Sequence, residues 1–290
     1  MQIFSKQKIN YQTDFLCSFF ETITKAHQMT TKVQAVIFDW AGTMIDYGSL
    51  APTIVFTELF QNYGLTVTNE EAREPMGLSK REHIAAMLAM PRIATAFEAR
   101  FERVANRDDV DRLYEIFIPL NEAVAAQYAT LIPGALEAVN YLRKNDIKIG
   151  STTGYSRSVM SKIIPLVSAA GYTPDNIVCG DDLSEGRPGP LMMYRCFADL
   201  GVYPPETVIK VDDTTPGIAE GKAAGCVTVG VSLSGNYVGL DEQTLRALPE
   251  EKRIQLNDDA AKKLRDAGAD HVIDSVLGLP DLIETLKANC

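Results

Sequence analysis

The stretch Val33-Gln34-Ala35-Val36-Ile37-Phe38-Asp39-Trp40-Ala41-Gly42-Thr43 decides the architecture. Its apolar residues run almost unbroken up to Asp39, the pattern of a strand buried on both faces rather than one with a wet side. Runs of the same kind recur at 147–152, 177–179, 208–211 and 227–231, with a weaker one at 271–273. Between them lie segments of helical period at 135–143, 159–170, 191–200 and 218–224. Gly171, Gly201 and Gly225 follow three of these, where helix ends are expected. Strand alternating with helix predicts an α/β fold, a parallel sheet covered on both faces with its chemistry outside the carboxyl ends of the strands.

Outward from this stretch, the alternation fails in one interval. From 48 to 130 the period is helical throughout, in segments near 52–63, 69–74, 80–90, 92–104 and 110–128. The chain therefore divides into an α/β core formed by 29–47 and 131–290 and a helical unit at 48–130, with hinges expected at 46–49 and 130–133. Residues 1–28 are expected to be a flexible arm without chemistry. Lys6, Lys8 and the apolar cluster at 15–20 only faintly resemble a targeting segment, because Asp14 and Glu21 intrude.

A chain of 290 residues can bury a full core without a disulfide or structural metal. Its 28 basic against 38 acidic residues give a net charge of −10, which argues against nucleic-acid and anionic-membrane partners. No apolar run approaches the ~18 residues of a spanning helix. The five cysteines are scattered and form no Cys-x-x-Cys pair, so neither a disulfide framework nor a zinc site follows, and a reducing, cytoplasmic setting is expected.

Four strand edges carry candidate chemistry. Asp39 ends the first strand, where it is either a loop aspartate accepting backbone N–H bonds or a carboxylate nucleophile and metal ligand. Asp212-Asp213 follows the strand at 208–211. Carboxylates gathered at strand ends repel one another, and hard oxygen ligands suit Mg²⁺. Ser151-Thr152-Thr153-Gly154-Tyr155 offers hydroxyls and free N–H groups, either as a helix cap or as a cradle for phosphoryl oxygens. Gly186-Arg187-Pro188-Gly189-Pro190 clamps one arginine in a loop, in a manner suited to phosphate.

This ordered set resembles the haloacid dehalogenase superfamily over about 33–283. The resemblance implies a Rossmann-like core with Asp39 as nucleophile, Thr153 and Arg187 at the phosphoryl group, Asp213 as the later acid, and the helical unit as a mobile cap. Most phosphatases of that superfamily carry a second aspartate two residues after the nucleophile, which protonates a departing alkoxide. Here the position is Ala41. In the helical unit, Pro75-Met76-Gly77-Leu78-Ser79-Lys80-Arg81-Glu82-His83 places Lys80 and His83 three apart, on one helix face. By spacing alone Lys80 is as well read as a solvated lysine, and His83 as a surface histidine. However, Asp-Trp-Ala-Gly-Thr at 39–43, Met-Gly-Leu-x-Lys-x-x-His at 76–83, the run at 149–155 and Gly-Arg-Pro at 186–188 together closely resemble the phosphonoacetaldehyde hydrolase (phosphonatase) family.

That closer resemblance implies an imine-forming Lys80, a proton-shuttling His83, and Met76 in the apolar cap. Mg²⁺ would be held by Asp39, the Ala41 carbonyl and Asp213. Thr153, the Gly154 N–H and Arg187 would hold the phosphonate, and Tyr155 would border it. Asp212 could help to orient the site. Gly217 stands where many superfamily members place another acid, and Ser49 where the family often has cysteine. A small phosphonate substrate, a homodimer joined through the caps and a place in 2-aminoethylphosphonate breakdown are also implied. The competing readings are a phosphate-ester phosphatase or phosphomutase of the same fold, and a non-catalytic sensor of a phosphorylated metabolite.

Overall fold

A computed structural model describes residues 32–288; the expected arm at 1–28 lies outside these. The core begins with β1 (Ala35–Phe38). A helical segment follows, with α1 (Leu50–Asn62), α2 (Asn69–Arg73), α3 (Lys80–Ala89), α4 (Pro91–Phe101) and α5 (Arg107–Ala125). The chain then alternates through α6 (Ala135–Lys144), β2 (Lys148–Thr153), α7 (Arg157–Ala169), β3 (Val178–Cys179) and α8 (Leu191–Leu200). It continues with β4 (Val208–Asp212), α9 (Thr215–Ala223) and β5 (Val227–Val231). Helices α10 (Glu242–Ala247) and α11 (Glu250–Asp266), strand β6 (His271–Ile273) and α12 (Leu279–Ala288) complete it.

All five strand pairings are parallel, in the order β3-β2-β1-β4-β5-β6. The order reverses between β1 and β4, and such a switch point opens a crevice at the carboxyl ends of the strands. Asp39 and Asp213 follow the two strands that flank it. Alternate residues of β1 face opposite layers. Val36 and Phe38 pack with α6 and α7, whereas Ala35 and Ile37 pack with α8. The unbroken apolar run is explained by these two covered faces.

Helices α1 to α5 bury a hydrophobic cluster drawn wholly from their own stretch of chain, including Phe56, Phe60, Ile84, Phe97 and Phe117. Its entry and exit run side by side: Ile45 bridges to Leu131, and the Asp46 N–H donates to Thr130 O at 3.1 Å. At the entry, Asp46 (φ 55°), Gly48 (φ 86°) and Ser49 (φ 50°) hold left-handed backbone, unusual for the two non-glycines. The Asp46 carboxylate takes N–H bonds from Leu50 and Ala51, supplying acceptors at the start of α1. Among the described residues, no helix is long and apolar enough to cross a membrane.

Candidate active site

Asp39 leaves the sheet at the end of β1, and its N–H donates to Val211 O of the neighbouring strand. Asp212 and Asp213 arrive beside it from β4, and oxygens of all three carboxylates lie within 4.8 Å of one another. Each is buried. Burial first, and the charge of Asp212 second, push Asp39 up to about 6 against the pull of Arg187 and Lys210. Burial, with Asp39 and Asp212, pushes Asp213 well above the ordinary carboxylate range. Asp212 behaves otherwise: burial raises it, but Arg187 and Lys210 overcome this and hold it below its usual value.

The bonds separate the two neighbours further. Both oxygens of Asp212 are engaged, one by the N–H and hydroxyl of Thr214, the other by Lys210 at 3.0 Å and Arg187 at 3.2 Å. Asp213 accepts from Thr43 Oγ1 at 3.1 Å and from the Asn236 N–H at 2.7 Å. Asp213 thus keeps lone pairs to offer, while Asp212 braces the cations. At Gly217 a Cβ would fall 2.0 Å from the Asp212 carboxyl carbon, so no acid fits there.

Arg187 is fully enclosed. Its Nη2 lies 2.8 Å from Asp39 Oδ1 and donates to Thr152 O and Oγ1, while Nε donates to Glu220 at 3.0 Å. The clamped loop therefore aims the arginine first at Asp39 and its supports. Lys210 reaches Thr152 Oγ1 at 2.7 Å and Glu220 at 3.3 Å from within β4. Thr152 belongs to the hydroxyl run at 151–155, whereas Lys210 and Glu220 are not marked by the sequence reading; a lysine inside an otherwise apolar strand is the one available signal.

Ser79 caps α3 through the Glu82 N–H, so the helix begins at Lys80 and turns that side chain into the crevice. Lys80 is 7% exposed, with its Nζ 5.0 Å from the Tyr155 ring centroid and 5.7 Å from that of Phe56. Burial lowers its amine to about 8, although Asp39 pulls the other way. One turn on, His83 is fully buried and stacked on Phe56 at 3.7 Å. Its Nε2 meets Ala72 O at 3.0 Å; a carbonyl only accepts, so Nε2 carries the proton and Nδ1 is left as an acceptor. Burial, with Lys80 second, holds its pKa well below the ordinary value, so the ring is neutral.

These groups line one pocket, which gathers Asp39, Ala41, Met76, Lys80, Thr153, Gly154, Tyr155 and Arg187, together with Ser49. Every residue expected at the site lies on it except His83, Asp212 and Asp213, which stand behind Lys80 and Asp39. The Thr153 hydroxyl accepts from the Tyr155 N–H at 3.1 Å, which shapes the turn and leaves its proton free for an incoming oxygen. Two glycines make the seam close. A Cβ at Gly154 would lie 2.8 Å from Leu78 O, and one at Gly77 (φ 97°) 2.3 Å from Thr214 Oγ1.

A divalent cation fits the donor set. Four buried carboxylates (Asp39, Asp212, Asp213, Glu220) face three buried cations (Lys80, Arg187, Lys210), an excess of one negative charge before any anionic substrate arrives. Burial first, and repulsion among these carboxylates second, raise Asp39 and Asp213, and a cation between them would relieve that repulsion.

A profile of haloacid dehalogenase-like hydrolases matches residues 33–225. The phosphonoacetaldehyde hydrolase of Paraburkholderia xenovorans is 48% identical over 88% of this chain and 96% of its own. That of Bacillus cytotoxicus is 42% identical over 88% and 97%. The crystal structure of a phosphonoacetaldehyde hydrolase-like protein from Oleispira antarctica superposes with a TM-score of 0.87 at 44% identity, covering 89% of this chain and 93% of that one. A β-phosphoglucomutase from Bacteroides vulgatus, at 15% identity and a TM-score of 0.61, shares the fold alone. This chain is a haloacid dehalogenase-like hydrolase and belongs to the phosphonoacetaldehyde hydrolase family.

Proposed function

We propose that the enzyme cleaves the carbon–phosphorus bond of phosphonoacetaldehyde through an imine on Lys80 and an aspartyl phosphate on Asp39. The observation that carries this reading is Lys80 itself, an amine lowered to about 8 in the pocket of Asp39. At pH 7 about a tenth of it is neutral, against about 0.04% of an ordinary lysine. Neutral Nζ adds to the aldehyde carbon, water leaves, and the imine nitrogen takes up a proton from solvent, giving a protonated imine. Asp39 then attacks phosphorus, and the electrons of the breaking C–P bond pass into the imine, which becomes an enamine. Ala41 supports this route, because a leaving group that departs as an enamine has no alkoxide to protonate. Water cleaves the aspartyl phosphate, the enamine takes a proton on carbon, and hydrolysis of the imine frees acetaldehyde and Lys80. His83 Nδ1, a neutral buried acceptor without a protein partner, suits proton shuttling during imine formation.

Arg187, the Thr153 hydroxyl and the Gly154 N–H would hold phosphoryl oxygens, with Tyr155 and Met76 closing the apolar side. Asp39, Asp213 and the Ala41 carbonyl would hold Mg²⁺, with Asp212 bracing Arg187 and Lys210. The ion would supply positive charge to offset carboxylate and phosphonate. We read the helical unit as a mobile cap and the enzyme as a cytoplasmic homodimer joined through those caps, acting in 2-aminoethylphosphonate breakdown. The buried free thiols Cys179, Cys196 and Cys226 support a reducing compartment, and part-exposed Ile54 and Ile116 on α1 and α5 support a contact there.

The deciding experiment is acetaldehyde release from phosphonoacetaldehyde with Mg²⁺ and after EDTA. Release that falls more than about 100-fold on chelation and returns with Mg²⁺ is expected; no release from the folded chain would sink the proposal. The pH dependence is a separate check. A depressed lysine is active when deprotonated, so kcat/KM is expected to rise tenfold per unit below about 8 and flatten above it. A profile flat from pH 6.5 to 9 would contradict the imine step.

A further inference from the structure

Arg73, at the end of α2, is half-buried and bonds to no carboxylate. Instead its guanidinium spans three backbone carbonyls. Nη1 donates to Gly48 O at 2.8 Å and Asn236 O at 3.2 Å, and Nη2 donates to Gly239 O at 3.0 Å. Asn236 Nδ2 returns a bond to Arg73 O at 3.2 Å. Gly48 belongs to the entry hinge, and the other two carbonyls to the core loop after β5. That loop is itself pinned to the site: the Asn236 N–H reaches Asp213 at 2.7 Å, and the Tyr237 hydroxyl accepts from the Thr215 N–H at 3.1 Å. A Cβ at Gly239 would fall 2.5 Å from the guanidinium carbon, so the core loop is shaped around this side chain.

We propose that Arg73 is a positioning residue for the hydrolysis, the latch that docks the helical unit on the core so that Lys80 meets Asp39. A planar fork of donors reaches three fixed acceptors at once, which the single ammonium of lysine matches only in part. Seven residues on, in the same unit, lies Lys80. A unit that docks loosely presents its amine at the wrong distance, and misplacements of about 1 Å cost on the order of 100-fold in rate. The catalytic part of this inference rests on the imine reading above; the docking part does not.

The test compares the full-length native chain with Arg73→Met and Arg73→Lys. In Arg73→Met, kcat/KM for phosphonoacetaldehyde is expected to fall about 100-fold while competitive inhibition by inorganic phosphate stays within about threefold, because core residues build the phosphoryl pocket. Arg73→Lys should recover at least about tenfold of that loss. Without substrate, amide exchange at 48–51 and 236–239 should quicken in Arg73→Met. Turnover within threefold of native, or loss shared by phosphate inhibition and not relieved by lysine, would overturn the proposal. If the native chain does not turn over phosphonoacetaldehyde, the imine reading fails and exchange alone decides: unchanged exchange rejects the latch. Should Arg73→Met not fold, native exchange and turnover in Arg73→Lys would reject the need for three carbonyls.

Discussion

Replacing Lys80 by arginine is expected to lower acetaldehyde release from phosphonoacetaldehyde by at least about 10⁴-fold while leaving the chain folded. Arginine keeps the positive charge and most of the length, so the rings of Phe56 and Tyr155 retain a cation beside them. What it lacks is an amine that can be neutral near pH 7, since its pKa stays above 12. Without an imine, the C–P bond must break to the aldehyde's enolate, a much poorer leaving group than the neutral enamine. Thermal unfolding and inhibition by inorganic phosphate should both resemble the native enzyme, because Arg187, Thr153 and Gly154 come from the core. Release within tenfold of native in Lys80→Arg would reject the imine and mean that the C–P bond is cleaved without it.

Why the lysine was visible in the sequence, and the network beneath it was not, has a physical basis. Buried parallel strands announce themselves by apolar runs, and the runs ending at Asp39 and before Asp212 lie where β1 and β4 lie. Asp39, Arg187 and Asp213 are short-range signals, each fixed by its place at a strand end or in a Pro/Gly loop. Lys80 became legible only through the Met-Gly-Leu-x-Lys-x-x-His motif, because a lysine at a helix start has no periodic signature. By contrast, Glu220 matters through Arg187 and Lys210, 33 and 10 residues away, and Arg73 through carbonyls 163 and 166 residues on. Nothing local marks such pairs. Helix α11 escaped for another reason: of its 17 residues only Ala260, Ala261 and Leu264 are buried, too narrow a stripe to set a period.

Asparagine at position 39 is expected to separate the two halves of the reaction. Asp39→Asn removes the oxygen nucleophile, and release of phosphate and acetaldehyde should fall by at least about 10⁴-fold. Lys80 belongs to the helical unit and keeps its buried pocket, so condensation with the aldehyde should continue. The amine would even be easier to neutralise, because Asp39 is the group that pulls its pKa upward. Borohydride added with substrate then gives different products on the same lysine. In Asp39→Asn it should fix an intact phosphonoethyl group, whereas in the native enzyme under turnover it should fix mainly an ethyl group, left after phosphorus has gone. Stability supplies an independent sign. A carboxylate raised from 3.8 to about 6 binds its proton more tightly folded than unfolded, so stability falls as pH rises between those values and stays lowered above them. In metal-free protein at pH 7.5, asparagine should therefore raise the unfolding temperature, provided that Arg187 keeps Asp212 and Glu220 as partners. An ethyl adduct on Lys80 of Asp39→Asn would mean that the C–P bond breaks without this aspartate. The nucleophile would then have to be sought elsewhere on the pocket wall.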